Sequence, residues 1–349
     1  MLNRRRPSQR FIATTLAPAL VLGVTLALNG CERFQSVDSL YQDAAARYQK
    51  GEQKAVIIQL KSALQKDPKH APSRLLSAKA YNDVGDYASA EKEAAKALEL
   101  GANADQAGFE LARALLGQGQ FQKALDAAKV APALSGEVLA KVLVLRGDAQ
   151  LGLRQVPAAK ESYAAAAKAA AEYYGSYLGQ ARLAAVGNDA AEAMRQIDLA
   201  IQKAPQALDS LLLKGDLLAA QGKNEEAIAA YQAAVKANPS RAAPHYRLAN
   251  LYLVQNKPDE VAKAVQAGQK AEPGGLEGRY LLARNDFQQK KYSDARAHIQ
   301  AVLRTAPNHL PSVLLAGAIS AALGESEIAE KNLNRVISAI PNNNYARTL

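Results

Sequence analysis

A spacing of 34 residues runs the length of this chain and limits what it can fold into. Asp67-Pro68, Ala204-Pro205, Asn238-Pro239, Glu272-Pro273, Ala306-Pro307 and Ile340-Pro341 all fall at one phase of it. Counting back from these prolines, repeats begin at Val37, Ala71, Asp105, Ala140, Tyr174, Leu208, Ala242, Leu276 and Leu310, every step being 34 residues except a step of 35 between Asp105 and Ala140. A unit of this size buries its apolar face only by stacking on its neighbours, so the period predicts an array of helix pairs rather than one enzyme-like core.

Small residues mark where helices cross. Position 8 of the repeat reads Ala44, Ala78, Ala112, Gly147, Ala181, Gly215, Ala249, Ala283 and Gly317, and position 20 is Ala in seven repeats with Val56 and Val261 in the others. Two helices approach closely only where the crossing side chains are short. Apolar residues recur at helical spacing, as in Leu60, Ala63 and Leu64. Gly51, Gly85, Gly119, Gly222 and Gly324 stand where the first helix of a pair should end on a left-handed residue. Proline near position 32 stops the second helix. With no sustained two-residue alternation, the expected fold is all-α.

The sixth repeat, with Leu211, Gly215, Leu218, Gly222, Ala227, Tyr231, Ala234 and Pro239, resembles the tetratricopeptide repeat family. The expected architecture is a superhelical solenoid of about nine helix-turn-helix repeats spanning 37–343, with residues 344–349 opening a tenth repeat and an irregularity at 131–139. The chain has no Trp, and Leu40, Leu143, Leu211 and Val313 fill the family's Trp slot at position 4, while Arg74, His245 and Arg279 occupy it elsewhere. Pro132 sits at position 28, inside the usual second helix, and should shorten that helix and bend the path near 131–138.

Net charge is +10, but Lys and Arg alternate with acids, as in Glu91, Lys92, Glu93 and Lys96. Such mixing describes solvated helix faces, and no nucleic-acid motif accompanies it. The strongest charge asymmetry is N-terminal: Arg4, Arg5, Arg6 and Arg10 precede the apolar run Phe11–Leu28, which closes on Asn29-Gly30-Cys31. This resembles a bacterial lipoprotein signal peptide over residues 1–30, cleaved between Gly30 and Cys31, with Cys31 lipidated and residues 31–36 as a tether. Cys31 is the sole cysteine, so no disulfide forms within one chain. An uncleaved anchor and an ordinary signal peptide are the competing readings. With Glu32, not Asp, after the cysteine, the resemblance implies the periplasmic face of the outer membrane.

The runs "IIQLKSALQKDP" (57–68) and "DYASAEKEAAKALELGA" (86–102) resemble the repeat lipoproteins of exosortase/PEP-CTERM exopolysaccharide systems. That resemblance implies a periplasmic scaffold whose partners are envelope proteins of polysaccharide export or protein sorting. Competing expectations are a repeat lipoprotein of outer-membrane or pilus assembly, and a groove for anionic polysaccharide. Members of that family are longer. The break six residues into a tenth repeat is therefore expected to leave an apolar end, with Val336, Ile337 and Ile340 poorly covered and able to self-associate.

No catalytic constellation is evident. His70, His245, His298 and His309 have no ligand spacing, and neither a metal nor a cofactor is expected. In the repeat family positions 2, 5, 9, 12 and 13 of the first helix line a groove. Carried over, this places Lys79, Phe109, Arg113, Arg182, Tyr246, Asn250, Tyr280 and Arg284 as candidate groove residues, a cationic ladder beside an aromatic stripe suited to an extended peptide or an acidic ligand.

Overall fold

The computed structural model describes residues 35–131 and 133–349. Gly30, Cys31 and the whole N-terminal signal segment lie outside the described residues, as does Pro132. Among the described residues every regular element is a helix, and none is long and apolar enough to cross a membrane.

These residues fall into two compact units divided between Gln118 and Gly119, inside the third repeat. The first unit holds α1 (Val37–Gln49), α2 (Gln53–Lys66), α3 (Ala71–Val84), α4 (Tyr87–Glu99) and α5 (Ala104–Gly117). The second begins with α6 (Phe121–Ala127), α7 (Gly136–Gly152), α8 (Val156–Ala169), α9 (Tyr174–Val186), α10 (Ala190–Lys203), α11 (Leu208–Ala220) and α12 (Asn224–Ala237). It continues with α13 (Ala243–Val254), α14 (Pro258–Ala271), α15 (Leu276–Gln288), α16 (Tyr292–Thr305), α17 (Leu310–Ala322), α18 (Ser326–Ala339) and the short α19 (Asn344–Thr348). Within each unit consecutive helices pair and each pair stacks on the next, as local apolar periodicity requires.

Backbone chemistry sets the punctuation. Asp67, Ala204, Asn238, Glu272, Ala306 and Ile340 each close a second helix with φ between −128° and −141° and ψ between 67° and 97°. Each precedes a proline, whose ring drives the preceding residue out of the helical region. Position 15 is left-handed in all nine repeats. Glycine supplies it five times, while Arg154, Asn188, Asn256 and Lys290 adopt φ of 52° to 60° at the equivalent place. The turn is thus imposed by how the two helices of a pair must meet, even where the residue resists that conformation.

The core is a relay of small clusters. Ala44, Val56, Leu60 and Ala80 form one in the first unit; Leu178, Ala181, Ile197 and Ala200 form one in the second. Fully burying a side chain such as Leu60 or Ile197 contributes about 1.5–3 kcal/mol. In the third repeat, α6 stops at Ala127 after a single short run, and residues 128–131 and 133–135 are irregular.

The C-terminal end differs from the sequence expectation. Ala346 on α19 packs onto Val313, Leu333 and Val336, leaving Val336 only 1% exposed and Ile337 half-buried. The Asn343 side chain caps α19 through the Ala346 N–H at 2.9 Å. Five residues of a tenth repeat therefore suffice to cover Val336, whereas Ile340 stays exposed as expected.

Candidate functional site

The inward positions of the first helices were expected to form the site. In the first unit they assemble a charged network spanning three repeats. The Tyr48 hydroxyl donates to Asp83 Oδ2, and Arg113 bridges Asp83 Oδ1 at 3.1 Å and Glu110 Oε2 at 2.8 Å. Asn82 Nδ2 donates to Glu110 Oε2 at 2.8 Å and to the Glu110 carbonyl at 2.9 Å. Burial opposes the Arg113 charge, but Glu110 and Asp83 outweigh it and hold the guanidinium protonated beyond its usual range. Burial first, and Asp83 second, push the Tyr48 hydroxyl above its ordinary pKa. Lys79 is exposed with its ammonium 4.9 Å from the Tyr48 ring centre, and the Arg113 guanidinium lies 6.0 Å from the Phe109 ring.

The second unit builds its inward row differently. Tyr163 and Tyr231, both at position 24, reach under their own first helices and donate to Asp148 and Asp216 at position 9, each at 2.7 Å. Cations from the following repeat complete the pairs: Arg182 Nη1 lies 2.8 Å from both Asp148 oxygens, and Arg247 Nε lies 3.1 Å from Asp216 Oδ1. Further along, Arg284 donates to Asn250 Oδ1 at 2.7 Å and sits 5.9 Å from the Tyr280 ring.

This arrangement explains two of the glycines at position 8. A Cβ on Gly147 would stand 2.5 Å from the Tyr163 ring, and one on Gly215 2.3 Å from the Tyr231 ring. Both repeats pair a glycine at position 8 with a tyrosine at position 24, a correlation present in the sequence but readable only once the helix crossing is known. Positions 13 and 17 show the same complementarity within each unit: Gly117 lies beneath Tyr87, and Gly152 beneath Phe121.

Two sequence expectations change. The position-9 arginines do not form an open cationic ladder, because Arg113 and Arg182 are already held by carboxylates. Guanidinium groups whose N–H donors are already taken by carboxylates have little left to offer an anionic polysaccharide. Tyr246 is not presented to a ligand either: it is 6% exposed, and its buried hydroxyl has no hydrogen-bond partner among the described residues. Its ring fits against Gly268, where a Cβ would lie 2.5 Å away. Spacing alone could not reveal this, because Tyr246 is packed between Gly268 of its own second helix and Gly278 of the next repeat.

A serine–histidine–aspartate cluster was missed by sequence reasoning. His70 Nδ1 lies 2.7 Å from Ser73 Oγ and accepts from the Ser73 N–H at 3.3 Å, while His70 Nε2 lies 3.3 Å from Asp38. Ser73 is fully buried and its hydrogen bond leads to the nitrogen that caps α3, so the cluster ends a helix and presents no nucleophile. His309 and Ser312 repeat the contact at 2.7 Å, and each imidazole meets a position-5 tyrosine edge-on, Tyr41 or Tyr280. Among the described residues no group of three or more His, Cys, Asp or Glu side chains is placed to hold a metal ion.

Residues 75–137 match a tetratricopeptide repeat family model, and residues 215–256 match a second model described as a TPR repeat. No curated protein matches the chain. Among solved structures, the chain resembles PilF of Pseudomonas aeruginosa at 15% identity and TM-score 0.51, over 60% of this chain and 96% of that one. It also resembles PilW, described as a widely conserved type IV pilus biogenesis factor, at 15% identity and TM-score 0.53, over 60% and 97% of the two chains. With their paired helices, position-8 crossings and proline-ended repeats, the described residues have the tetratricopeptide repeat fold.

Proposed function

We propose that the chain is a non-enzymatic scaffold that gathers protein partners at the cell envelope, within a system of exopolysaccharide export and PEP-CTERM protein sorting. The observation that carries the interaction part is the inward row of the second unit. Val186 and Val254, at position 13, are 56% and 70% exposed, and Ala220 and Ala322 at the same position are exposed too. Four residues back from the first three of these, in chain order, stand Arg182, Asp216 and Asn250. Position 13 thus offers apolar contact beside hydrogen-bonding groups whose charges are matched. An extended protein segment, which carries both apolar side chains and uncharged amides, fits that mixture better than a polyanion does. The envelope part rests on the sequence alone, on the Arg-rich leader, Cys31 and the opening repeat. Lipidation at Cys31 would tether the array by acyl chains in place of a spanning helix.

Pilus assembly is the second reading, favoured by the likeness in fold to PilW. One experiment addresses both. A photo-crosslinker placed at position 254 of the full chain, in intact cells of the source organism, should trap a discrete protein whose identity separates the export and sorting apparatus from the pilus apparatus. The Val186→Glu/Val254→Glu variant should lose that partner, and Cys31→Ser should release the chain from the membrane fraction. Absence of any adduct at position 254, together with an unchanged interactome in the double variant, would overturn the scaffold reading.

A further inference from the structure

The second repeat carries Arg74 and Ser77 at positions 4 and 7 of α3, where the sixth repeat has the buried Leu211 at position 4. The consequence is local. Arg74 turns back to the Pro68 carbonyl, at 3.2 Å from Nε and 2.9 Å from Nη2, and its Nη1 takes Glu93 at 2.6 Å. Short Ser77 leaves space that a larger side chain would fill. Between α2, α3 and α4 this opens a cleft of about 440 Å³.

Its lining is unbalanced in charge. Lys61, Arg74 and Lys92 face a single acid, Glu93, which Arg74 already occupies. Neither lysine has an ion-pair partner among the described residues. Lys61 interacts with the Tyr81 hydroxyl on the cleft wall. Ser77 is only 3% exposed and lines the cleft.

We infer that this cleft binds a small polyanion through its oxyanion groups, carboxylate or phosphate, with Lys61 and Lys92 supplying charge and the Ser77 hydroxyl a directed hydrogen bond. The volume is that of a small-molecule site and exceeds what one inorganic ion would fill. None of the inward residues of this repeat, Pro72, Leu75, Lys79, Asn82 and Asp83, lines the cleft, so the site is separate from the protein-binding row and stands or falls without it.

The test is calorimetric titration of the full chain, at fixed ionic strength, with pyrophosphate in one arm and citrate in the other. Saturable binding of either supports the site, and the tighter of the two assigns the group. The Lys61→Ala/Lys92→Ala variant should bind about tenfold or more weakly, and Ser77→Ala a few-fold more weakly. Lys160→Ala, an exposed lysine on α8, should bind as the parent does, with helicity by circular dichroism confirming that all variants fold. Failure of both anions to bind, or equal weakening by Lys160→Ala, would overturn the inference.

Discussion

The two units solve one problem by different means. Each must hold carboxylates on its inward row without leaving them uncompensated. In the first unit the acids Asp83 and Glu110 are held by Tyr48, Arg113 and Asn82, residues drawn from three repeats and approaching along the row. In the second, Asp148 and Asp216 are reached from beneath by a tyrosine of their own repeat, and the next repeat adds the cation. The second route needs a passage through the helix crossing, and glycine at position 8 provides it. The first does not, and there position 8 is Ala44, Ala78 and Ala112. Small residues at position 8 are therefore two populations. Alanine lets two helices touch, glycine at Gly147 and Gly215 lets a tyrosine ring pass between them, and Gly317 makes room for Leu333.

The sharpest way to break this contrast is Gly215→Ala. The added carbon would stand 2.3 Å from Tyr231, against an alanine's better helix propensity, and the net effect should be a loss of about 1–3 kcal/mol in urea unfolding. Pairing it with Tyr231→Leu should restore part of that loss. An unchanged midpoint for Gly215→Ala would uncouple the position-8 glycine from the position-24 tyrosine.

Tyr231→Phe tests the polar half. Losing the hydroxyl that donates to Asp216 should cost about 1–2 kcal/mol near neutral pH. Burial first, and the neighbouring acid second, raise the Tyr163 and Tyr231 hydroxyls above their ordinary pKa of 10.0. Below that pH both folded and unfolded chains keep the phenol neutral. Above it the unfolded chain ionises first, so stability should fall with rising pH. The decline between about pH 9 and 11, followed by thermal unfolding, should be shallower in Tyr231→Phe than in the parent. Parallel curves would remove the tyrosine from the account.

The smallest effect concerns position 15. Arg154 and Lys290 hold left-handed backbone at φ of 60° and 59°. Replacing either with Gly should stabilise the chain by about 0.5–1 kcal/mol, the relief of side-chain crowding exceeding the extra entropy of glycine.

How far the sequence revealed this differs by element. The helix pairs, their proline stops and the small crossings at positions 8 and 20 were legible, because each depends on one residue type recurring at one phase. The left-handed turn was legible at Gly51 or Gly222 but hidden at Arg154 and Lys290, where geometry overrides residue preference. The groove was the least legible part. Arg113 reads as a free cation until Asp83, thirty residues earlier, is seen beside it, and Tyr246 reads as a contact residue until the glycines beneath its ring are noticed. The end of the array was misjudged for a similar reason: Ala346 covers Val336 in a tertiary contact that periodicity does not encode.

The Arg182–Asp148 and Arg284–Asn250 contacts each join residues 34 apart, one repeat to the next. Repeat arrays readily gain or lose whole units by recombination at the level of the gene, and identical units would tolerate it. These would not be neutral to it. Deleting or duplicating the fifth repeat would put a new neighbour opposite Asp148 or Arg182 and strand a charge in a half-buried row. The fourth and seventh repeats therefore carry a record of which one must follow them, and part of the order of the array is written in these pairs as well as in its period.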